Sequence, residues 1–347
     1  MKTAFKRGSE ITFKDLKLRE LAEGEIRVKI EACGICGTDL HNNPEVADKE
    51  LPFGHEIAGT VIETGKGVLN VKVGDKIALD SSTPCGTCDY CRNAQQELCV
   101  KLKSFWGTRT FGFAEEMIAP AICAIPRGDM PADIATLSEP LGVAIDLVRL
   151  AEISINSNVL VMGPGPIGLM ALALSKRIGA HKIFMSAFAE EKVRVEVARQ
   201  FGADTIIDPS KTPLATYDFG CKIDRVLVTT PPPTLADAVA VCCQGNIKGG
   251  IISFIGIGFG ENAYCRFNAN DFHFKKLQLR ASFASPALYG AQALQYLREG
   301  VVDGPSLISH RFPLSRLPEA MKTAADRAKA VKVIVMPDEF YRSVNAG

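Results

Sequence analysis

Four cysteines, Cys85, Cys88, Cys91 and Cys99, lie close together in the sequence, with spacers short enough for one loop to wrap its thiolates around a single ion. Four local thiolates fill a tetrahedral shell and leave no open position, so a zinc ion held there is structural. The same residues also suit disulfides or an iron–sulfur cluster, and the spacing alone leaves those alternatives standing. A second constellation comes earlier in the chain. Cys36 sits in Gly34-Ile35-Cys36-Gly37-Thr38-Asp39, and His55 in Phe53-Gly54-His55-Glu56. Isolated cysteines and histidines are more often buried and inert than metal-bound, so this pair needs further support.

A glycine fingerprint stands apart from both constellations. Gly163-Pro164-Gly165-Pro166-Ile167-Gly168 follows the apolar run Val159-Leu160-Val161-Met162 and opens a segment of helical pattern. Gly163 permits the tight turn, Gly165 lets the backbone approach a pyrophosphate, and Gly168 lets helix and strand pack closely. Pro166 and Ile167 begin the helix, whose free N–H groups and positive dipole end favour phosphates. Strand, turn and helix in that order point to NAD or NADP, whereas the glycines alone would fit a plain turn.

The acidic residue that usually receives the adenosine ribose about twenty residues on is missing. The second strand ends Phe184-Met185-Ser186-Ala187-Phe188, with Ala187 in the acidic position. Without that charge a 2′-phosphate is not repelled, and Lys192 or Arg194 can pair with one. Alternatively, Ser186 or Glu190 serves the ribose and the two basic residues lie on a solvated helix face. The choice between NAD and NADP stays open.

These groups need two kinds of scaffold. A chain of 347 residues exceeds what one core usually serves, so two domains are expected. Up to about Ala124, short apolar runs alternate with turn signals: Ile26-Arg27-Val28-Lys29-Ile30 has period two, and Thr60-Val61-Ile62 and Lys76-Ile77-Ala78-Leu79 are similar. This is a β-rich opening. A helical pattern begins near Leu137. Beyond Asn158 come a strand at 159–162, a helix at 167–178, a strand at 182–185, a helix at 190–201 and strands at 205–207, 226–228 and 251–255. Such alternation implies a parallel sheet covered on both faces, an α/β fold. A helix at 288–299 and a final strand at 331–335 close the chain.

Composition excludes several classes of function. With 40 basic against 39 acidic side chains, net charge +1, no global field favours nucleic acid or an anionic membrane. Met1-Lys2-Thr3-Ala4-Phe5-Lys6-Arg7 lacks the apolar core of a signal peptide, and apolar runs such as 251–257 are too short to span a bilayer. The 11 cysteines are an odd number and cannot all pair, which fits a reducing, cytoplasmic compartment. Cys33, Cys123, Cys221, Cys242, Cys243 and Cys265 are scattered and read as small hydrophobes.

Gly54-His55-Glu56-x-x-Gly59-x5-Gly65-x-x-Val68 resembles the zinc signature of the medium-chain alcohol dehydrogenase family. The cysteine lobe and the glycine fingerprint follow in that family's order, so the resemblance covers essentially the whole chain. Ser138-Glu139-Pro140-Leu141 places a glutamate where the polyol (sorbitol-type) and threonine dehydrogenases carry one. The resemblance implies a GroES-like catalytic domain at 1–145 and 286–347, with a Rossmann domain at 146–285 inserted between. It implies Cys36 and His55 as ligands of a catalytic zinc, with Glu56 or Glu139 completing the shell. The alternative for Glu139 is a cap on the helix that begins there. Such a zinc polarises an alcohol so that hydride can pass to the nicotinamide. Thr38 matches the family's proton-relay hydroxyl, and His41 either carries the proton onward or is an ordinary surface histidine.

The resemblance to the glutamate-bearing subgroup implies a secondary alcohol of a polyol, sugar or sugar derivative as substrate. Primary alcohols and threonine-type amino alcohols are the alternatives within the class. Phe105-Trp106-Gly107 and Phe283 are candidate pocket residues, and Arg109 and Arg280 are either partners for an anionic substrate group or, equally, surface or cofactor contacts. From another class, a zinc- and nucleotide-binding redox sensor without turnover has the same fold requirements. Family habit implies a homodimer or homotetramer.

Overall fold

The computed structural model describes residues 1–41, 47–242 and 249–345; Cys243 lies outside them. The chain forms two compact units. One comprises Met1–Gly142, Ala284–Asp326 and Lys332–Gly347, and the other Val143–Phe283 with Arg327–Val331. The chain passes from the first to the second inside the helix Ser138–Leu150.

The first unit is built on the period-two strand. In Glu25–Gly34, Ile26, Val28 and Ile30 are completely buried, while Lys29 faces solvent. Each strand residue turns to the face opposite its neighbour, so this alternation buries one face of the sheet. Glu25–Gly34 pairs antiparallel with Glu56–Thr64, from Ile26 opposite Thr64 to Gly34 opposite Glu56. The full sheet has seven strands. Its path runs Ala124–Pro126, Lys76–Leu79, Glu56–Thr64, Glu25–Gly34, Lys332–Met336, Ile308–Pro313, and Glu116–Pro120 pairs with the first half of Glu25–Gly34. The C-terminal strand Lys332–Met336 thus completes a sheet begun at the other end of the chain.

The second unit is a six-stranded parallel sheet in the order Thr205–Ile207, Lys182–Ser186, Asn158–Met162, Arg225–Val228, Ile251–Phe254, Gln278–Ala281. This is the 3-2-1-4-5-6 order of the Rossmann fold, whose ligand crevice lies at the carboxyl ends of the strands, where the order reverses. The central strand is buried on both faces and therefore reads as an unbroken apolar run. Leu160, Met162, Val226, Val228 and Ile252 form its core with Phe184 and Leu235. The helix Pro166–Ile178 has proline in its first turn and ends at Gly179 with φ 95°, a left-handed cap.

Among the elements that differ from expectation are two in this unit. Gln278–Ala281 is a sixth strand that its mixed sequence, Gln-Leu-Arg-Ala, did not signal, because an edge strand need not be apolar on both faces. The second helix starts at Lys192 rather than Glu190. Glu191 folds its carboxylate back onto the Phe188 N–H at 3.1 Å, so the two glutamates form the turn before the helix.

Leu160→Ala is expected to destabilise this unit by about 2–5 kcal/mol, the range for truncating a fully buried leucine. A lower urea midpoint at unchanged slope would show it.

Candidate metal centres and cofactor site

Cys36 stands two residues beyond the end of Glu25–Gly34, and His55 one residue before the start of Glu56–Thr64. The register that sets Gly34 opposite Glu56 therefore brings the two together. Ligand atoms of Cys36, His55 and Glu56 lie within 4.8 Å of one another. Cys36 is also the N-cap of the short helix Gly37–Leu40, and its backbone N–H donates to Asp39 Oδ2 at 2.9 Å. Asp39, a residue sequence reasoning passed over, is buried with Oδ1 3.8 Å from His55 Nδ1. A carboxylate behind a histidine fixes ring orientation at many metal sites, and its signal was the Asp three residues after Cys36.

The electrostatics favour a cation. Burial works to lower the His55 pKa, but the Cys36 thiolate, Asp39 and Glu139 outweigh it and hold the imidazole well above its ordinary value. Burial raises the Asp39 carboxyl. Glu139 is pushed up to about 7, first by burial, with Glu56 and Asp39 adding to it and His55 opposing. Asp80, also overlooked, reaches about 7 through burial and the charge of Glu139. Glu139 occupies the first turn of the helix Ser138–Leu150, where a negative charge is favourable in any case. It acts on His55 electrostatically but stands outside the group of mutually close ligand atoms.

Glu56 is held from behind. Lys332, itself buried, donates to Glu56 Oε1 at 2.6 Å and to Oε2 at 2.7 Å. Thr38 and His41 are exposed, and Lys6 fixes their segment by donating to the carbonyls of Asp39 at 2.6 Å and His41 at 2.9 Å. Trp106, about half exposed, lies 5.7 Å from His55 between ring centroids and contacts Phe105 and Phe111. These aromatics form an apolar wall beside the histidine. Phe283 and Arg280 belong to the other unit. Phe283 is exposed, whereas Arg280 is engaged with Glu152 at 2.8 Å and the Leu150 carbonyl at 2.7 Å. That commitment removes Arg280 as a free partner for a substrate anion. Arg109 is exposed.

The four-cysteine lobe converges on one point. Sulfur–sulfur distances are 3.9 Å for Cys85–Cys91, 3.5 Å for Cys88–Cys91 and 3.9 Å for Cys88–Cys99. A tetrahedron of 2.3 Å zinc–sulfur bonds has edges of about 3.8 Å. The spacing suits one ion and leaves no room for a multi-iron core, and all four cysteines are unpaired. Backbone N–H groups of Thr87 and Cys88 donate to Cys85 Sγ at 3.4 and 3.3 Å. The Thr87 hydroxyl and these amides pull the Cys85 thiol down to about 5, so it is ready as a thiolate. Of the scattered cysteines, Cys33, Cys123 and Cys242 are buried, but Cys221 and Cys265 are only half-buried.

In the second unit, Gly163 has φ 101° and Gly168 packs so close that a Cβ would lie 2.1 Å from the Gly163 carbonyl oxygen. Nothing lies within 4 Å of where a Gly165 Cβ would be, which leaves the N-terminus of the helix open to a phosphate. Gly165, Pro166 and Ile167 are half-buried there. Ser186 and Ala187 are buried at the strand end. Arg194 is committed to the Ala330 carbonyl at 2.8 Å and to Glu191 at 3.4 Å, so of the two basic candidates only Lys192 is exposed. The buried acid of this loop is Glu191, not Glu190.

Residues 22–129 match the alcohol dehydrogenase GroES-like domain, and residues 166–297 the zinc-binding dehydrogenase family. L-Idonate 5-dehydrogenase of Vitis vinifera is 30% identical over 332 residues, 91% of this chain and 89% of that protein. L-Threonine 3-dehydrogenase of Bacillus velezensis is 30% identical over 340 residues, covering 94% and 95%. A zinc-binding dehydrogenase of Sinorhizobium meliloti bound to NADP superposes with a TM-score of 0.84 at 26% identity, over 97% of this chain and 99% of that one. The chain belongs to the zinc-dependent medium-chain alcohol dehydrogenase family. It is an oxidoreductase that uses zinc and a nicotinamide dinucleotide. Among the described residues no helix is long and apolar enough to cross a membrane.

Metal-depleted protein is expected to take up two zinc ions per chain, one at each cluster. Uptake at the Cys36–His55 centre should release protons and weaken in mild acid, because the raised pKa of His55 means a proton must leave before nitrogen can ligate. Isothermal titration in buffers of different ionisation enthalpy reads those protons. Affinity independent of pH at that centre would overturn the assignment.

Proposed function

We propose that this chain oxidises a secondary alcohol of a polyol, sugar or sugar acid to the ketone, and reduces the ketone in reverse. The observation that carries the proposal is Cys36 and His55 with ligand atoms within 4.8 Å of each other, and an exposed hydroxyl, Thr38, two residues beyond Cys36, in a chain with a dinucleotide fingerprint. The names of the two relatives supply the substrate class. Carbon 5 of idonate is a secondary carbinol between two hydroxyl-bearing carbons; carbon 3 of threonine is also a secondary carbinol, between a methyl and the amino-bearing carbon, and stands for the amino-alcohol alternative.

In this reading the first unit is the catalytic domain and the second holds the cofactor. Zinc and nicotinamide supply, when bound, Lewis acidity toward an alcohol oxygen and a hydride acceptor. Cys36 and His55 hold the catalytic ion, with Glu56 or Glu139 as the further carboxylate, and Asp39 orients His55. Thr38 Oγ1 receives the alcohol proton, and His41, exposed nearby in sequence, passes it to solvent. Trp106, with Phe105 and Phe111 behind it, excludes water from the side of His55. Cys85, Cys88, Cys91 and Cys99 hold a second, structural ion. Backbone N–H groups following Gly163 and Gly165, with Ile167 and Gly168 in the first turn after Pro166, bind the pyrophosphate. Ser186 and Ala187 form the floor for the adenosine ribose, and Lys192 flanks it. The thiolate-rich sites suit the reducing cytoplasm. A homodimer or homotetramer is the assembly that membership of the family supports.

The exposed Thr38 and the aromatic wall favour turnover over the sensor reading, which requires neither. His55→Ala is expected to abolish turnover and to leave dinucleotide affinity within about twofold, since the fingerprint lies in the other unit. A panel of polyols, sugar acids, primary alcohols and threonine, followed at the reduced-nicotinamide absorbance with NAD and NADP in parallel, tests the substrate class. Turnover confined to primary alcohols would overturn it, and unchanged activity of His55→Ala would overturn the metal assignment.

A further inference from the structure

An ammonium taken as far from water as Lys332, 2% exposed, persists only when its protons find acceptors. All three are received, by Glu56 Oε1 at 2.6 Å, Glu56 Oε2 at 2.7 Å and the Ile35 carbonyl at 3.0 Å. The acceptors have positions in common with the metal ligands. Ile35 immediately precedes Cys36, and Glu56 immediately follows His55. One charge therefore grips the chain on both sides of the ligand pair.

Its route is built into the sheet. Lys332 begins the strand on one side of the end of Glu25–Gly34, and Glu56 begins the strand on the other. The two side chains meet across Gly34, where a Cβ would lie 2.0 Å from Glu56 Oε2. Only glycine leaves that passage open. A pair serving the fold alone has no need to meet where both ligand-bearing segments leave the sheet.

We propose that Lys332 is the positioning residue of the metal centre: through Glu56 and the Ile35 carbonyl it sets the spacing of Cys36 and His55 and holds Glu56 as a fixed negative charge beside them. This rests on the reading of Cys36 and His55 as the catalytic zinc ligands. Without the ammonium, Glu56 is a buried carboxylate with no partner except the metal, and the Ile35–Cys36 segment loses its tether.

Three variants of the full chain test this. Lys332→Met removes the charge, Lys332→Arg keeps it, and Lys332→Met with Glu56→Gln removes both charges, leaving no uncompensated carboxylate to prevent folding. Zinc affinity is measured by chelator competition, and the geometry of the centre by the visible absorption of cobalt-loaded protein. Lys332→Met and the double variant are expected to lose about tenfold or more of the affinity for one of two ions, the scale of supporting-residue effects at metal sites. The four-cysteine ion should be unaffected. Lys332→Met should also shift the cobalt bands, and Lys332→Arg should recover part of the affinity. Affinity within about twofold of the parent and superposable cobalt bands, in whichever charge-removing variant folds, would overturn the proposal. A parent chain that binds only the four-cysteine ion would instead overturn the catalytic-zinc reading beneath it.

Discussion

The pairing of Gly34 with Glu56 is the constraint on which the metal centre depends. Cys36 and His55 hang just beyond the matched ends of two antiparallel strands, so their separation is set by strand register. Register in turn is held by apolar burial. Ile26, Val28 and Ile30 are fully buried on one strand, as are Ile57 and Val61 on the other to within 1%. A slip of one residue would turn each set toward the wrong face, and each large aliphatic side chain contributes about 1.5–3 kcal/mol by its burial. The hydrophobic core of the first unit thus fixes a ligand geometry to which it contributes no ligand.

Around this register the chain has gathered buried charge. Asp39, Glu56 and Glu139 all act on the same few ångströms, with His55 and Lys332 as the cationic groups. Burial opposes the charge on Lys332, yet Glu56 and Cys36 hold its pKa above the usual lysine value. Burial first, with neighbouring carboxylates adding to it, raises the carboxyls of Glu139 and Asp80 to about 7, and the acidic groups gathered here are in excess of the two cations. A divalent ion relieves that excess, which agrees with the zinc dependence of the family. The cysteine lobe solves the same problem differently, with amide and hydroxyl donors turned onto sulfur.

The second unit separates scaffold from specificity. Its sheet order, its glycine turn and its open helix N-terminus belong to any dinucleotide-binding Rossmann unit. The loop after Ser186 is particular to this chain. Ala187 stands where an acid is usual, Glu191 is folded inward onto Phe188 and Arg194, and Arg194 is drawn off to the Ala330 carbonyl. Of the charged side chains there, Glu190 and Lys192 face the solvent, so a plain count of basic residues in the sequence overstates how basic the ribose end is.

Much of this was legible in the sequence, because local spacing encodes local geometry. Four cysteines on one loop cannot avoid converging. A strand, Gly163-x-Gly165-x-x-Gly168 and a helix make one turn, and alternation at residues 26–30 makes a half-buried strand. Tertiary structure decided what depends on distant segments meeting. Lys332 lies far along the chain from Glu56 and reads in sequence only as the second residue of an apolar strand at 331–335. Nothing local marks Gly34 as the residue whose lack of a side chain opens the passage for that ion pair. Arg280 and Arg194 look free in sequence and are engaged in the fold. The physical reason is the same in each case: a charged side chain takes its role from the partner that folding brings to it, and sequence spacing specifies that partner only when it is a neighbour.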